Sequence, residues 1–100
     1  SPGSTQGRAR IVLDPSNPPA LSPGDIMVAP ITDPAWTPLF LAVEAVIVNV
    51  GAQISHAVIV SRELGIPCVV SVSEATKLIP DGATLEIDGT SGEVTILGLP

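Results

Sequence analysis

The sequence predicts a compact mixed α/β domain built on a central parallel crossover, and three observations predict it. First, Ala45-Val46-Ile47-Val48 is a short, apolar, β-branched run of the kind that fills a buried strand. Second, the next segment reads as turn, helix and helix stop. Gly51 breaks the chain direction, Ser55 is a good N-cap type, His56 opens the helix, and Leu64-Gly65-Ile66-Pro67 closes it. Third, residues 66–72 form another apolar run. Strands over 46–50 and 66–72, joined by a helix, make a right-handed parallel crossover.

Taken in order, the opening Ser1-Pro2-Gly3-Ser4-Thr5-Gln6-Gly7 is small and polar, and residues 1–7 are read as tag or linker. The domain is assigned to residues 8–100. A first strand is expected over 8–13, with Ile11 and Leu13 on one face and Val12 on the other. Residues 14–19 carry three prolines and form a loop. Ser22-Pro23-Gly24-Asp25 matches a type II turn, and residues 26–29 are the next strand. Thr37-Pro38 is a helix start, with Thr37 as N-cap and Pro38 at the first position. That helix runs to about Val43, and Trp36 packs at its entry. Residues 73–78 give one helical turn with Ser73 as its cap, and Pro80-Asp81-Gly82 is a turn. Strands 84–88 and 93–97 alternate at period two and form a hairpin, with Leu85, Ile87, Val94 and Ile96 inward. Asp81, Glu86, Asp88 and Glu93 are read as its solvated side.

Composition narrows the function. One hundred residues make one domain. The hydrophobic content is 45%, yet Trp36 and Phe40 are the two aromatics, so the core is aliphatic. A net charge of −6 argues against sequence-independent nucleic-acid binding and against an anionic membrane surface. No run reaches the roughly 18 apolar residues of a membrane span. Cys68 is the single cysteine, which excludes an internal disulfide, reads as a small buried hydrophobe and is compatible with a cytoplasmic location. One histidine, one buried cysteine and scattered carboxylates give no metal constellation.

The chemistry concentrates at His56, the one histidine in the chain. The first turn of a helix carries unpaired N–H groups and about half a positive charge, and phosphate settles there. A neutral imidazole is a nucleophile that needs no general base, because one ring nitrogen keeps a free lone pair. A helix start disfavours the protonated ring and favours a dianionic phosphoryl group attached to it. Glu63 lies two turns on, about 10 Å along the axis, out of reach of the ring. The plainer alternative is a surface or capping histidine on a structural domain.

The residue order resembles the phosphohistidine segment of the phosphoenolpyruvate-utilising enzymes. Gly51, Ser55, His56, Ala57, then Arg62-Glu63-Leu64-Gly65-Ile66-Pro67 and Cys68-Val69-Val70 follow the family pattern. Two further blocks stand at family spacing: 21–29, and Thr32-Asp33-Pro34-Ala35-Trp36-Thr37-Pro38-Leu39. The latter is most similar to the phosphoenolpyruvate synthase and rifampicin phosphotransferase branch. The chain departs from the pattern at Ala52, where the family has a second glycine, and at Ile54, where some dikinases carry a regulatory threonine.

The resemblance implies a swivelling β/β/α phosphohistidine domain, with strands in two layers and helices on one side. It implies a phosphoryl-carrier role in a multidomain phosphotransferase of the synthase or dikinase type, a transferase that is not a complete catalyst as a single domain. His56 is then the catalytic residue, phosphorylated on Nε2. Gly51, Ser55 and Ala57 support the phosphate, and Arg62 either contacts a partner's phosphate or is a solvated or paired charge at the helix end. The domain binds no cofactor itself; ATP and Mg²⁺ belong to an ATP-binding partner domain, and pyruvate or another acceptor to a further domain. The alternative is a binding or structural module that retains the fold without turnover.

Overall fold

The computed structural model describes residues 3–16, 20–30, 32, 34–49, 56–70, 72 and 75–100. Among the described residues, six strands form one sheet: β1 (Ser4–Ile11), β2 (Asp25–Ala29), β3 (Ala45–Val48), β4 (Cys68–Val69), β5 (Thr84–Asp88) and β6 (Glu93–Gly98). Their spatial order is β4-β3-β2-β1-β5-β6. The pairs β1–β2, β2–β3 and β3–β4 are parallel, whereas β1–β5 and β5–β6 are antiparallel. The described residues also form the short helices α1 (Thr37–Phe40), α2 (His56–Leu64) and α3 (Ala75–Leu78), with a 3₁₀ turn at Pro34–Trp36 leading into α1.

The mixed α/β class expected from sequence is the one observed. Alternation along β2 and β3 fills two cores. Ile26, Val28, Ala45 and Ile47 face one cluster, which Val69, Ala75, Leu85 and Ile87 complete. Met27, Ala29, Val46 and Val48 face the other, with Trp36, Phe40, Ala57, Val58 and Cys68. The sheet curls, so β5 and β4 contribute to the same cluster although they stand four strands apart. α1 and α2 cover the outer cluster on one side, and α3 closes the inner one through Ala75. Trp36 packs at the entry of α1, as its position predicts.

The parallel crossover stands as expected, with Val46 paired to Cys68 and Ile47 to Val69 across α2. β4 is shorter than residues 66–72. Its flanks still join β3 through Val46 N–H to the Pro67 carbonyl and Val72 N–H to the Val48 carbonyl, both 3.1 Å. Helix α2 ends in a Schellman motif. The Gly65 N–H donates to the Arg62 carbonyl and the Ile66 N–H to the Ser61 carbonyl, while Gly65 takes φ +74°.

Several boundaries differ from expectation for physical reasons. Residues Ser4–Gly7, expected as linker, form the first half of β1 and pair with Leu85–Asp88 of β5. Their small polar side chains hid a strand held by backbone pairing and by Gln6 Nε2 donating to Glu86 at 2.8 Å. A side chain at Gly7 would run into the Gly24 carbonyl, which explains a glycine inside a strand. Ile96 is 44% exposed because β6 is a sheet edge. Asp81 is a structural ligand as well as a surface acid, since it accepts from the Ile11 N–H at 2.9 Å and lies 3.8 Å from Arg10. Asn49, the residue after β3, accepts from the Thr76 N–H in the first turn of α3 at 3.0 Å. Ser73 lies outside the described residues. Among the described residues no helix is long and apolar enough to cross a membrane.

Candidate functional site

His56 is the first residue of α2, as the sequence predicts, and its side chain is half-buried. Its neighbours come from the proline-punctuated stretch before β3. Thr32 Oγ1 lies 3.0 Å from Nδ1, and Thr37 Oγ1 lies 3.2 Å from Nε2. The Phe40 ring stands edge-on to the imidazole, with centroids 5.6 Å apart and planes at 87°. Thr37 and Phe40 are three apart on α1, so one turn of helix presents both to the ring. Phe40 is itself fully buried among Met27, Val46, Val48 and Ala57, which ties the imidazole to the outer core.

The expected role of Thr37 as N-cap is corrected. Thr37 is the first residue of α1, the cap position is Trp36, and Trp36 makes no side-chain cap hydrogen bond. The Thr37 hydroxyl points to the histidine instead. The helix also stops at Phe40, short of Val43, where Ala42 N–H closes a tight turn on the Leu39 carbonyl at 3.1 Å.

Each hydroxyl can donate or accept, and each ring nitrogen does one or the other in the neutral imidazole. The pair of contacts therefore fixes the ring plane and leaves two tautomers. In one, Nδ1–H donates to Thr32 and Thr37 donates to a lone pair on Nε2. In the other, both directions reverse. The ring is held with one edge toward the buried Thr32 and the other toward the exposed Thr37.

The remaining expected site residues separate. Gly51 and Ser55, with Ala52 and Ile54, lie outside the described residues. Ala57 turns its methyl into the outer core, where it is buried. Arg62 is exposed in the last turn of α2, six positions and about 9 Å of helix from His56. Thr32 and Phe40 carry geometry that sequence reasoning did not assign to the site. The available signal was the placement of two threonines, Thr32 and Thr37, in a segment rigid with proline.

Cys68 is buried in β4, and burial pushes its thiol above the ordinary range, with the Ser61 hydroxyl acting weakly the other way. It is a packing residue behind α2. Among the described residues no three His, Cys, Asp or Glu side chains come together as a metal site.

Comparison with known proteins settles the family. Residues 21–92 match the family described as PEP-utilising enzyme, mobile domain.

The chain belongs to that family.

It is 43% identical over 97 residues to the rifampicin phosphotransferase of Streptomyces sviceus, covering 97% of this chain and 11% of that protein. It is 45% identical over 95 residues to chondramide synthase cmdD of Chondromyces crocatus, covering 95% of this chain and 2% of that protein. An NMR solution structure of Enzyme I superposes with a TM-score of 0.64 at 28% identity, over 73% of this chain and 30% of that one. The mobile domain thus spans a small part of the curated relatives it matches.

Proposed function

We propose that this mobile domain is a phosphoryl carrier and that His56 is its phosphorylated residue. The observation that carries the reading is the half-buried imidazole at the start of α2, held at both nitrogens by neutral hydroxyls. A hydroxyl orients the ring through either nitrogen and brings no charge of its own to the site. The helix start supplies oriented N–H groups for a dianion.

In the first half-reaction the Nε2 lone pair attacks phosphorus, the P–O bond to the donor breaks, and that electron pair leaves with the donor oxygen. The Nδ1 proton stays on the ring and donates to Thr32. In the second half an acceptor oxygen, deprotonated at its own domain, attacks phosphorus. The P–N bond then breaks and its pair returns to Nε2. By this reading the donor is ATP with Mg²⁺ on a partner domain, and the acceptor lies on another domain of the same enzyme. A cytoplasmic location, where ATP is at hand, goes with this reading. Gly51 and Ser55 would contribute to the phosphate cradle, the Ala57 backbone would lie in its first turn, and Arg62 would meet a partner's phosphate. The name of the Streptomyces relative favours the antibiotic-phosphotransferase branch over the pyruvate enzymes.

In the full-length enzyme incubated with labelled ATP, the wild-type protein takes up label that is lost in acid and retained in alkali. His56→Ala abolishes it. Equal labelling of the variant would overturn the assignment and leave a binding or structural module.

A further inference from the structure

Thr37 has a hydroxyl that its own helix does not use. It opens α1 without capping it, the next residue is Pro38, and its oxygen lies 3.2 Å from His56 Nε2. Among the described residues, the ring also meets Thr32 at Nδ1 and the Phe40 ring edge. No lysine or arginine is among these contacts. Retention of a phosphoryl dianion on Nε2 would therefore fall to neutral donors.

We propose that Thr37 is a two-position contact of the transferring nitrogen. In the resting domain its hydroxyl donates to the Nε2 lone pair and holds the Nδ1–H tautomer. Once the P–N bond has formed, the same hydroxyl turns to donate to a phosphoryl oxygen. This deepens the carrier reading and rests on it. The two contacts on the ring cooperate, because Thr32 accepts from Nδ1 only in the tautomer that lets Thr37 donate to Nε2. Attack on phosphorus consumes the lone pair that Thr37 faces. The phosphoryl oxygens then stand between ring and hydroxyl and replace the nitrogen as acceptors. Thr37 is exposed, so its hydroxyl has room to turn about χ1.

The second contact slows loss of the phosphoryl group. Transfer passes through a loose, metaphosphate-like transition state, in which the phosphoryl oxygens carry less charge than in the bound dianion. A donor on those oxygens stabilises the bound state more than the transition state. Loss of one such hydrogen bond corresponds to about a five-fold change in rate.

The test uses the ¹⁵N-labelled chain, whose single histidine gives unambiguous long-range ¹H–¹⁵N spectra, as wild type, Thr37→Val and Thr37→Ser. The wild type shows the Nδ1–H tautomer. Thr37→Val, with a methyl in place of the hydroxyl, raises the Nε2–H population, and Thr37→Ser restores the wild-type spectrum. After phosphorylation by potassium phosphoramidate, Thr37→Val loses phosphate about five-fold faster than wild type, and Thr37→Ser matches wild type. A wild-type Nε2–H tautomer, or a Thr37→Val spectrum identical to wild type, overturns the resting contact. An unchanged lifetime overturns the contact in the phosphorylated state. The tautomer spectra need no phosphorylation, so they decide on Thr37 even if labelling by ATP proves the carrier reading wrong.

Discussion

At His56 the chemistry is set by what touches the ring: two neutral hydroxyls and an aromatic edge. A hydroxyl can donate to or accept from an imidazole nitrogen, so the two contacts orient the ring in either neutral tautomer. Behind the helix, Cys68 shows what burial does to another potential nucleophile. Its thiol titrates above the ordinary range because the apolar surroundings disfavour the thiolate. The folded-state value is raised, so this group's contribution to stability is whole below the unfolded thiol value of about 8.5 and declines as pH rises through the folded one. The chain has no tyrosine and a single lysine, Lys77, so few other groups titrate in that window. Urea midpoints should therefore fall between pH 7 and pH 10, and Cys68→Ala should flatten that fall. An equal decline in the variant would assign the alkaline limb elsewhere.

Among the elements, α2 is nine residues long, too short to hold itself in water. Its ends and one packed face do the work. Ala57, Val58 and Ser61 are buried along that face, and Gly65 terminates the helix with a positive φ. A Cβ at Gly65 would meet nothing within 4 Å. Gly65→Ala therefore costs backbone strain alone, about 1 kcal/mol in denaturant unfolding. The spectrum of His56, at the other end of the helix, should be nearly unchanged. A cost close to zero would mean that the left-handed geometry is not held in solution.

For the whole molecule, β1 joins the parallel half of the sheet to the antiparallel half. It pairs with β2 through Arg8–Ile11 and with β5 through Ser4–Arg8. The Arg8–Asp25 ion pair at 3.5 Å lies at the switch between the two, and Asp25 is buried there. Gly7 stands where a side chain would collide with the Gly24 carbonyl and press on Ile26. Gly7→Ala should destabilise the domain by about 2 kcal/mol, the scale of an overpacked core site, read as a lowered urea midpoint. Unchanged stability would restore the view of Ser4–Gly7 as a tag or linker.

Local patterns were enough for the central crossover, the start and stop of α2, the hairpin and the place of His56. Each depends on neighbours in sequence: β-branched runs, a glycine-proline stop, alternation at period two. The strand character of Ser4–Gly7 was invisible, because it comes from pairing with residues some eighty positions away. The partners of the imidazole were invisible for the same reason. Thr32 and Thr37 lie 24 and 19 residues before His56, and the packing of α1 against α2 brings their hydroxyls to the ring. The amino-acid order by itself determined that an imidazole opens a short aliphatic helix. Packing across the curled sheet decided which groups face each nitrogen, because hydrogen-bond partners are chosen by proximity in space and a linear pattern does not encode that distance.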